Sequence, residues 1–246
     1  MKEEKKTGTY EWAPARDNCI LGCSNDCRYC YAKANAVRFK RETVDTWKIE
    51  HQNRNAKAKK HKGRVMFPTS HDLHIEHVNW WGPHLHKLLD LGNDVLIVTK
   101  GELSAVSWII INLSDYKDQI EFRFTIGSND STVTDYWEPG APKVAERCMS
   151  LSFAYTSGFK TSVSMEPLLI ENPSKFIAAM DSTVTGEIWI GMMNHYALNP
   201  AIPEHAWQIW FQSRENLQKV YEATKGNPKV RYKDSMRELL DLPPNP

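Results

Sequence analysis

The stretch Cys23-Ser-Asn-Asp-Cys27-Arg-Tyr-Cys30-Tyr31 sets three cysteines at the spacing C-x3-C-x2-C. Thiolates are soft ligands, suited to iron–sulfur clusters or zinc rather than to hard cations. A cubane cluster is ordinarily held by four cysteines, so three on one tight loop leave one iron without a protein ligand. An open iron can bind a small molecule and pass it an electron. Two other readings stand beside this one. Cys19 precedes the triplet, and four thiolates close a structural zinc site. Such sites usually draw ligand pairs from separated elements, so that the metal staples the chain, and one contiguous knot staples little. A disulfide framework belongs to short secreted chains.

The chain has 246 residues, enough for one large domain or two small ones. Its 25% charged and 41% hydrophobic residues are ordinary for a globular protein. A formal net charge of +1 gives no global argument for a nucleic-acid or membrane partner. Five cysteines, four of them clustered, fit a reducing compartment. The start, Met1-Lys-Glu-Glu-Lys-Lys, is polar, and no apolar run is long enough for a signal peptide or a membrane span. A cytoplasmic protein without a membrane partner is the expectation.

Beyond the cysteines a rhythm appears. The segment from Tyr10 to Leu21 leads a first strand into the loop, and a helix is expected from Tyr31. Apolar runs then start at Arg64, Asp94, Ile120, Thr161 and Glu187, separated by roughly the length of a βαβ unit. Helical patterns fill the gaps around Trp81–Leu91, Ser104–Ser114, Lys143–Ser157 and Ser174–Met180, with Gly92 and Gly158 placed to end two of them. Alternation of this kind implies a parallel sheet. Six repeats are too few for a full eight-stranded barrel. One amphipathic helix is expected over Glu204–Thr224, with Trp207, Trp210, Phe211, Leu217 and Tyr221 inward. Lys229–Lys233 suits a final strand, and Asp234 and Ser235 suit the cap of a last short helix. The whole chain reads as one domain, with a core over about 10–195 and an extension over 196–246. Residues 38–64 hold ten Lys or Arg against three Asp or Glu. They read first as a solvated connection, and second as a phosphate-contacting flank with Trp47 as a stacking partner.

Ligands of parallel β/α folds collect at the C-terminal ends of the strands. Those ends carry the three cysteines; then Thr69, Ser70, His71 and Asp72; Lys100; Ser128, Asn129 and Asp130; Glu166; and Asn194 with His195. His71, His74 and His77 recur every three residues, a period that does not converge on one metal ion. Surface or supporting roles are expected for most of them, and His71 and His195 are retained as substrate contacts.

The cysteine loop, with an aromatic residue before its last cysteine, strongly resembles that of the radical S-adenosylmethionine (SAM) enzymes. The fragments Ser70-His-Asp, Ile75-Glu-His77, Thr99-Lys100 and Trp137-Glu-Pro-Gly-Ala-Pro142 followed by Arg147 occur in the same order as in the spore photoproduct lyase-like branch. The likeness runs from about Asn18 to Asn194. It implies a partial (β/α)6 TIM-type barrel with a C-terminal helical extension. It implies a [4Fe–4S] cluster on Cys23, Cys27 and Cys30, SAM on the open iron, a 5′-deoxyadenosyl radical that abstracts a hydrogen atom, and an external electron donor of the flavodoxin or ferredoxin type. On this pattern Lys100 meets the SAM carboxylate, and Ser128 and Asn129 bond ribose hydroxyls. Tyr29 and Tyr31 pack near adenine, and Glu166 bonds ribose or substrate, or else simply pairs with Arg123. Two departures matter. The branch's lyase carries a hydrogen-donating cysteine just after the second strand, where this chain has Phe67-Pro-Thr-Ser-His-Asp72. The Gly-Gly-Glu stretch used for the SAM amino group is absent, which leaves that role to Ser70 and Asp72. The resemblance favours a nucleic-acid base or nucleotide as substrate, modified or rearranged rather than repaired. The alternative function is a non-catalytic iron–sulfur or zinc module that binds nucleic acid.

Overall fold

The computed structural model describes residues 8–193 and 210–245. Two short strands precede the cysteine loop, β1 (Ala15–Arg16) and β2 (Ile20–Leu21), and α1 (Tyr31–Arg38) follows it. β3 (His51–Gln52) pairs antiparallel with β2. Strands and helices then alternate: β4 (Val65–Phe67), α2 (Val78–Asp90), β5 (Val95–Thr99), α3 (Leu103–Asn112), β6 (Ile120–Thr125), α4 (Ser131–Trp137), α5 (Val144–Thr156), β7 (Lys160–Met165), α6 (Ser174–Met180) and β8 (Ile188–Ile190). After the gap come α7 (Arg214–Thr224), β9 (Val230–Tyr232) and α8 (Asp234–Leu240).

One curled sheet of seven parallel strands runs β1-β4-β5-β6-β7-β8-β9. It is the expected partial TIM-type barrel, with a seventh strand added by the tail segment at 230–232. Side chains alternate across each strand. Val65, Phe67, Val95, Ile97, Phe122, Phe124, Val163, Met165, Ile188 and Ile190 face the helices in one continuous apolar core. Each such fully buried side chain contributes about 1.5–3 kcal/mol. The opposite set faces the lumen, where Met66, Leu96 and Trp189 pack with Trp12 and Ala13.

Because the sheet ends at β1 and β9, the barrel is open between them. The segment from Gly8 to Ala13 straddles that gap. Glu11 Oε1 lies 2.8 Å from Lys233 Nζ at the end of β9, and Asp234 N donates to Glu11 Oε2 at 3.0 Å. Trp12 is thereby carried into the lumen, 6.1 Å from Trp189 in an edge contact.

Local details follow from local chemistry. Gly92 and Gly158 have φ of +76° and +81°, as expected for residues just beyond helix ends. α4 has too few residues to show a period in the sequence; Asp130 caps it by accepting Thr132 N at 2.8 Å. Of the helix expected over Glu204–Thr224, α7 starts at Arg214, after a 3-10 turn at Trp210–Gln212, and Ser213 Oγ caps it by accepting Asn216 N at 3.1 Å. Trp207 and the rest of 204–209 lie outside the described residues. Asp234 opens α8 as its first residue rather than capping it.

Part of the basic segment packs beside the sheet. Lys60 Nζ bonds Gly92 O, and His61 N donates to Asn93 Oδ1 at 2.8 Å. Those contacts place this part of the segment beside the entry to β5, at the end of the sheet away from the cysteines. Trp47 is 4% exposed and packs on Ala32 and Ala36, so it presents no stacking face. No helix among the described residues is long and apolar enough to cross a membrane.

Candidate active site

The cysteine loop sits over the C-terminal end of the sheet. Gly22 turns the chain into it with φ +84°, and a Cβ there would lie 2.4 Å from Ile49 O, so glycine is required. Cys23 N donates to Trp47 O at 2.9 Å. Cys30 is the N-cap of α1, its sulfur 3.4 Å from Lys33 N. A second segment clamps the loop from above: Arg28 N donates to Trp137 O at 2.9 Å, and Gly140 N to Asn25 O at 3.1 Å. Cys23, Cys27 and Cys30 line one cavity together with Tyr29, Tyr31, Ser70, Lys100 and Glu166. All three thiols are free. Burial pushes each of them up, Cys27 to about 12, and for Cys23 the negative groups nearby add to the effect. Cys19 is different. It packs in the apolar core between sheet and helices and does not line the cavity.

Behind the loop, Asp72 is filled. Its carboxylate accepts Thr99 Oγ1 at 2.5 Å, Leu73 N at 2.8 Å, Asn25 Nδ2 at 2.8 Å and Lys100 N at 2.9 Å. Four donors occupy the lone pairs of a carboxylate. Asp72 is therefore a brace that joins the loop to β5, and it lines the cavity together with Ser70. His71 is likewise committed. Its Nε2 accepts Cys19 N at 3.3 Å, and Nδ1 faces Asp72 O at 2.8 Å, so the neutral Nδ1–H tautomer fits both contacts. Burial lowers its pKa to about 4. His71 nonetheless lines the cavity, with both ring nitrogens already engaged. Ser128 and Asn129 are corrected. The last lumen-facing residue of β6 is Thr125; beyond it Ser128 Oγ accepts Asp130 N at 3.1 Å, Asn129 is exposed, and neither lines the cavity. His195 and Asn194 lie outside the described residues.

Lys100 lines the cavity, and with company. Its Nζ donates to Tyr29 Oη at 2.9 Å and lies 3.2 Å from Glu138 Oε1. Burial opposes the charge, yet Glu138 and Cys27 outweigh it and the pKa is raised. Glu138 also bonds Tyr29 Oη and pairs with Arg147 at 2.5 Å. Burial works against its ionisation, and the two cations hold its pKa below the usual carboxylate value. Tyr29 is thus locked into this cluster and leans on Trp137, while Tyr31 Oη bonds Thr69 O. Glu166 lines the cavity and lies 3.8 Å from Lys233, not against Arg123, whose partners are Glu121 and Glu187.

A further pair carries weight that sequence reasoning did not assign. Glu50, its side chain 1% exposed, accepts Ser24 N at 2.7 Å and lies 2.7 Å from His74 Nδ1. Burial disfavours the imidazolium, but Glu50 and Asp72 raise His74 to about 9. Glu50 lies in a basic run, and nothing in that run marks it as buried. Among the described residues no three His, Cys, Asp or Glu side chains are gathered around one point as ligands of a single ion.

The sequence matches no known protein family and no curated protein. Solved structures do match. Spore photoproduct lyase complexed with dinucleoside spore photoproduct superposes with a TM-score of 0.60 at 13% identity, over 94% of this chain and 79% of that one. A mutant lyase with the same dinucleoside gives 0.58 at 13%, and a second mutant gives 0.58 at 12%, each with the same coverage. In another comparison the chain spans only 59% of the lyase, at a TM-score of 0.49. The chain has the fold of spore photoproduct lyase, a radical SAM enzyme, as the cysteine loop led us to expect.

Proposed function

We propose that the protein is a radical SAM enzyme whose Cys23, Cys27 and Cys30 hold a [4Fe–4S] cluster. The observation that carries this is the set of three free thiols, Cys27 buried and Cys23 and Cys30 half-buried, facing one cavity at the mouth of a parallel half-barrel. The donors fit the group. Ligands of a cubane bind three different irons and need not meet at one point. A single zinc ion draws its ligands to about 2.3 Å from one centre, and no such gathering is found among the described residues. When bound, the cluster and SAM supply a one-electron cleavage that yields methionine and a 5′-deoxyadenosyl radical.

The chain's own residues then do four things. Lys100 presents an ammonium to the SAM carboxylate; Tyr29 and Glu138 use two of its three donors and hold it in place. Tyr31 and Ser70 wall the cavity beside the cysteines. Asp72 and Glu50 fix the loop that carries the thiols. The clamp from Trp137 to Arg147 covers the loop and keeps water from it. Five free cysteines among the described residues suit the reducing cytoplasm, with a flavodoxin- or ferredoxin-type donor as the source of electrons. The substrate class we favour is a nucleobase or nucleotide. The test is anaerobic reconstitution with iron and sulfide, an absorbance spectrum, then dithionite and SAM. Formation of 5′-deoxyadenosine supports the reading; a protein that retains no iron, or leaves SAM intact, overturns it.

A further inference from the structure

The loop that carries the cysteines has an outer side as well as a cavity side. On the outer side Cys23 N donates to Trp47 O at 2.9 Å, and Cys23 and Cys30 pack against the cluster that Trp47 forms with Ala32 and Ala36. The chain around Trp47 presents apolar side chains to solvent. Phe39 is 60% exposed, Ile49 51% and Leu21 50%, with the Ile49 carbonyl against Gly22 beside Leu21. Apolar side chains grouped in water and rimmed by polar ones mark an interaction surface.

The rim here is basic. Arg38, Lys40, Arg41 and Lys48 are exposed, and none of them meets an acid among the described residues. The guanidinium carbons of Arg38 and Arg41 each lie 5.5 Å from the Phe39 ring centroid. Of the acids in residues 38–50, Glu50 is buried against His74, Glu42 accepts Thr46 Oγ1 at 2.7 Å, and Asp45 is exposed. The turn out of α1 keeps a cation where the backbone favours glycine. Arg41 N donates to Ala36 O at 2.9 Å and Lys40 N to Val37 O at 3.0 Å, and Lys40 has φ +55°. Glycine is the usual residue at that position, because a side chain in the left-handed region is strained. The clamp side of the loop has its charges matched: Lys143 Nζ pairs with Asp135 at 2.6 Å, and Arg28 stacks on Tyr136.

Resting on the radical SAM reading above, we propose that this outer face docks the electron donor, and that the donor is a small acidic one-electron carrier protein. Its negative rim meets Arg38, Lys40, Arg41 and Lys48, and its centre covers Phe39, Ile49 and Leu21, the arrangement of apolar middle and polar border that protein interfaces share. Complementary charge steers the encounter and fixes its orientation. One electron leaves the carrier, which is oxidised, and enters the metal group on the far side of Trp47, which is reduced; no bond forms or breaks. The cavity side stays free for SAM and substrate, so the two approaches do not compete.

The test is titration calorimetry of an oxidised, acidic plant-type [2Fe–2S] ferredoxin into the iron-loaded protein. The proposal expects saturable binding that weakens as salt rises. It expects about tenfold weaker binding in Phe39→Ala, and similar weakening when Arg38, Lys40 and Arg41 are all changed to Glu. The same change at Lys57 and Lys59, exposed residues beside Asn93 at the far end of the sheet, leaves binding at wild-type strength. Iron content, melting temperature and the 5′-deoxyadenosine formed with dithionite stay at wild-type values in every variant, while the yield with photoreduced ferredoxin falls in the first two. No ferredoxin binding, equal binding by wild type and the Phe39 and triple variants, or equal weakening by the Lys57 and Lys59 change overturns the docking face. So does a wild-type dimer that Phe39→Ala dissolves, which assigns the face to a second copy of the chain. Failure of dithionite and SAM to give 5′-deoxyadenosine with the wild type overturns the enzyme reading separately.

Discussion

Glu138 Oε1 lies 3.2 Å from Lys100 Nζ, and this contact ties the clamp over the cysteine loop to the end of β5. The other oxygen of the same carboxylate meets Arg147. One buried anion between two buried cations is costly to break. Removing a partner of such a pair destabilises by about 3–5 kcal/mol. Glu138→Gln leaves two cations facing each other, and its melting temperature is expected to fall by roughly 6–20 °C, at about 2–4 °C per kcal/mol for a chain of this size. The pKa of Glu138 is depressed, so its contribution is present above the unfolded carboxylate value and is lost as pH falls through the folded one. The gap between wild type and variant should therefore close in acid. A gap that persists unchanged at the lowest pH tested would show that charge is not the cause.

Lys100→Ala is expected to weaken SAM binding by about ten- to a hundred-fold, the loss of one charge-assisted hydrogen bond, while iron content is retained. Isothermal titration of the reconstituted protein measures it. Unchanged affinity would show that the ammonium serves Glu138 alone.

Single changes of Cys23, Cys27 or Cys30 to Ala are expected to abolish the cluster's absorbance, whereas Cys19→Ala retains it. The reason is position: Cys19 packs in the apolar core with His71 Nε2 on its backbone N–H, away from the cavity that the other three line. Full iron in Cys27→Ala, or its loss in Cys19→Ala, would reverse the assignment. Gly140→Ala is expected to lower iron loading without touching a ligand, because a Cβ there would lie 2.2 Å from Ser24 O and push the clamp off the loop.

The Glu50–His74 contact makes the cysteine loop sensitive to base. His74 is raised from 6.5 to about 9, so its contribution is complete below the unfolded value and is lost as pH rises through the folded one. A shift of that size corresponds to roughly 3–4 kcal/mol. Thermal melts of the metal-free chain should show wild type losing stability between pH 7 and 10, and Glu50→Gln losing much less over that range. Parallel curves would assign the loss elsewhere.

Repair of thymine dimers is not expected. Return of a hydrogen atom to the product radical calls for a good donor, and Thr69 and Ser70 have strong O–H bonds. Cys148, the remaining thiol, sits on α5 against the outer core and does not line the cavity. Incubation of dimer-containing DNA with reductant and SAM, followed by mass analysis, checks this; clean multiple-turnover release of thymines would move the protein into the repair class.

The alternation of strand and helix patterns was legible because each buried strand is a compact apolar run, and so was the cysteine loop, because its ligands are contiguous. The braces were not. Asp72, Glu50 and Glu138 are ordinary carboxylates in the sequence, and only three-dimensional neighbours such as Thr99, His74 and Arg147 reveal that they are buried and saturated. Ser128 and Asn129 were misplaced because the last inward residue of β6 is Thr125, and a polar run just past a strand does not say where the alternation stops. Trp12 looked like the lead-in to a strand. Its lumen position depends on Glu11 meeting Lys233, a pairing no local pattern encodes.

That pairing has a consequence for biosynthesis. Asp234 N and Glu11 are separated by 223 residues along the chain. At about 5–20 residues per second of translation, Glu11 leaves the ribosome roughly 10–45 s before its partner exists. The seam of the barrel stays unsealed throughout that interval, and it closes only once the last strand has emerged.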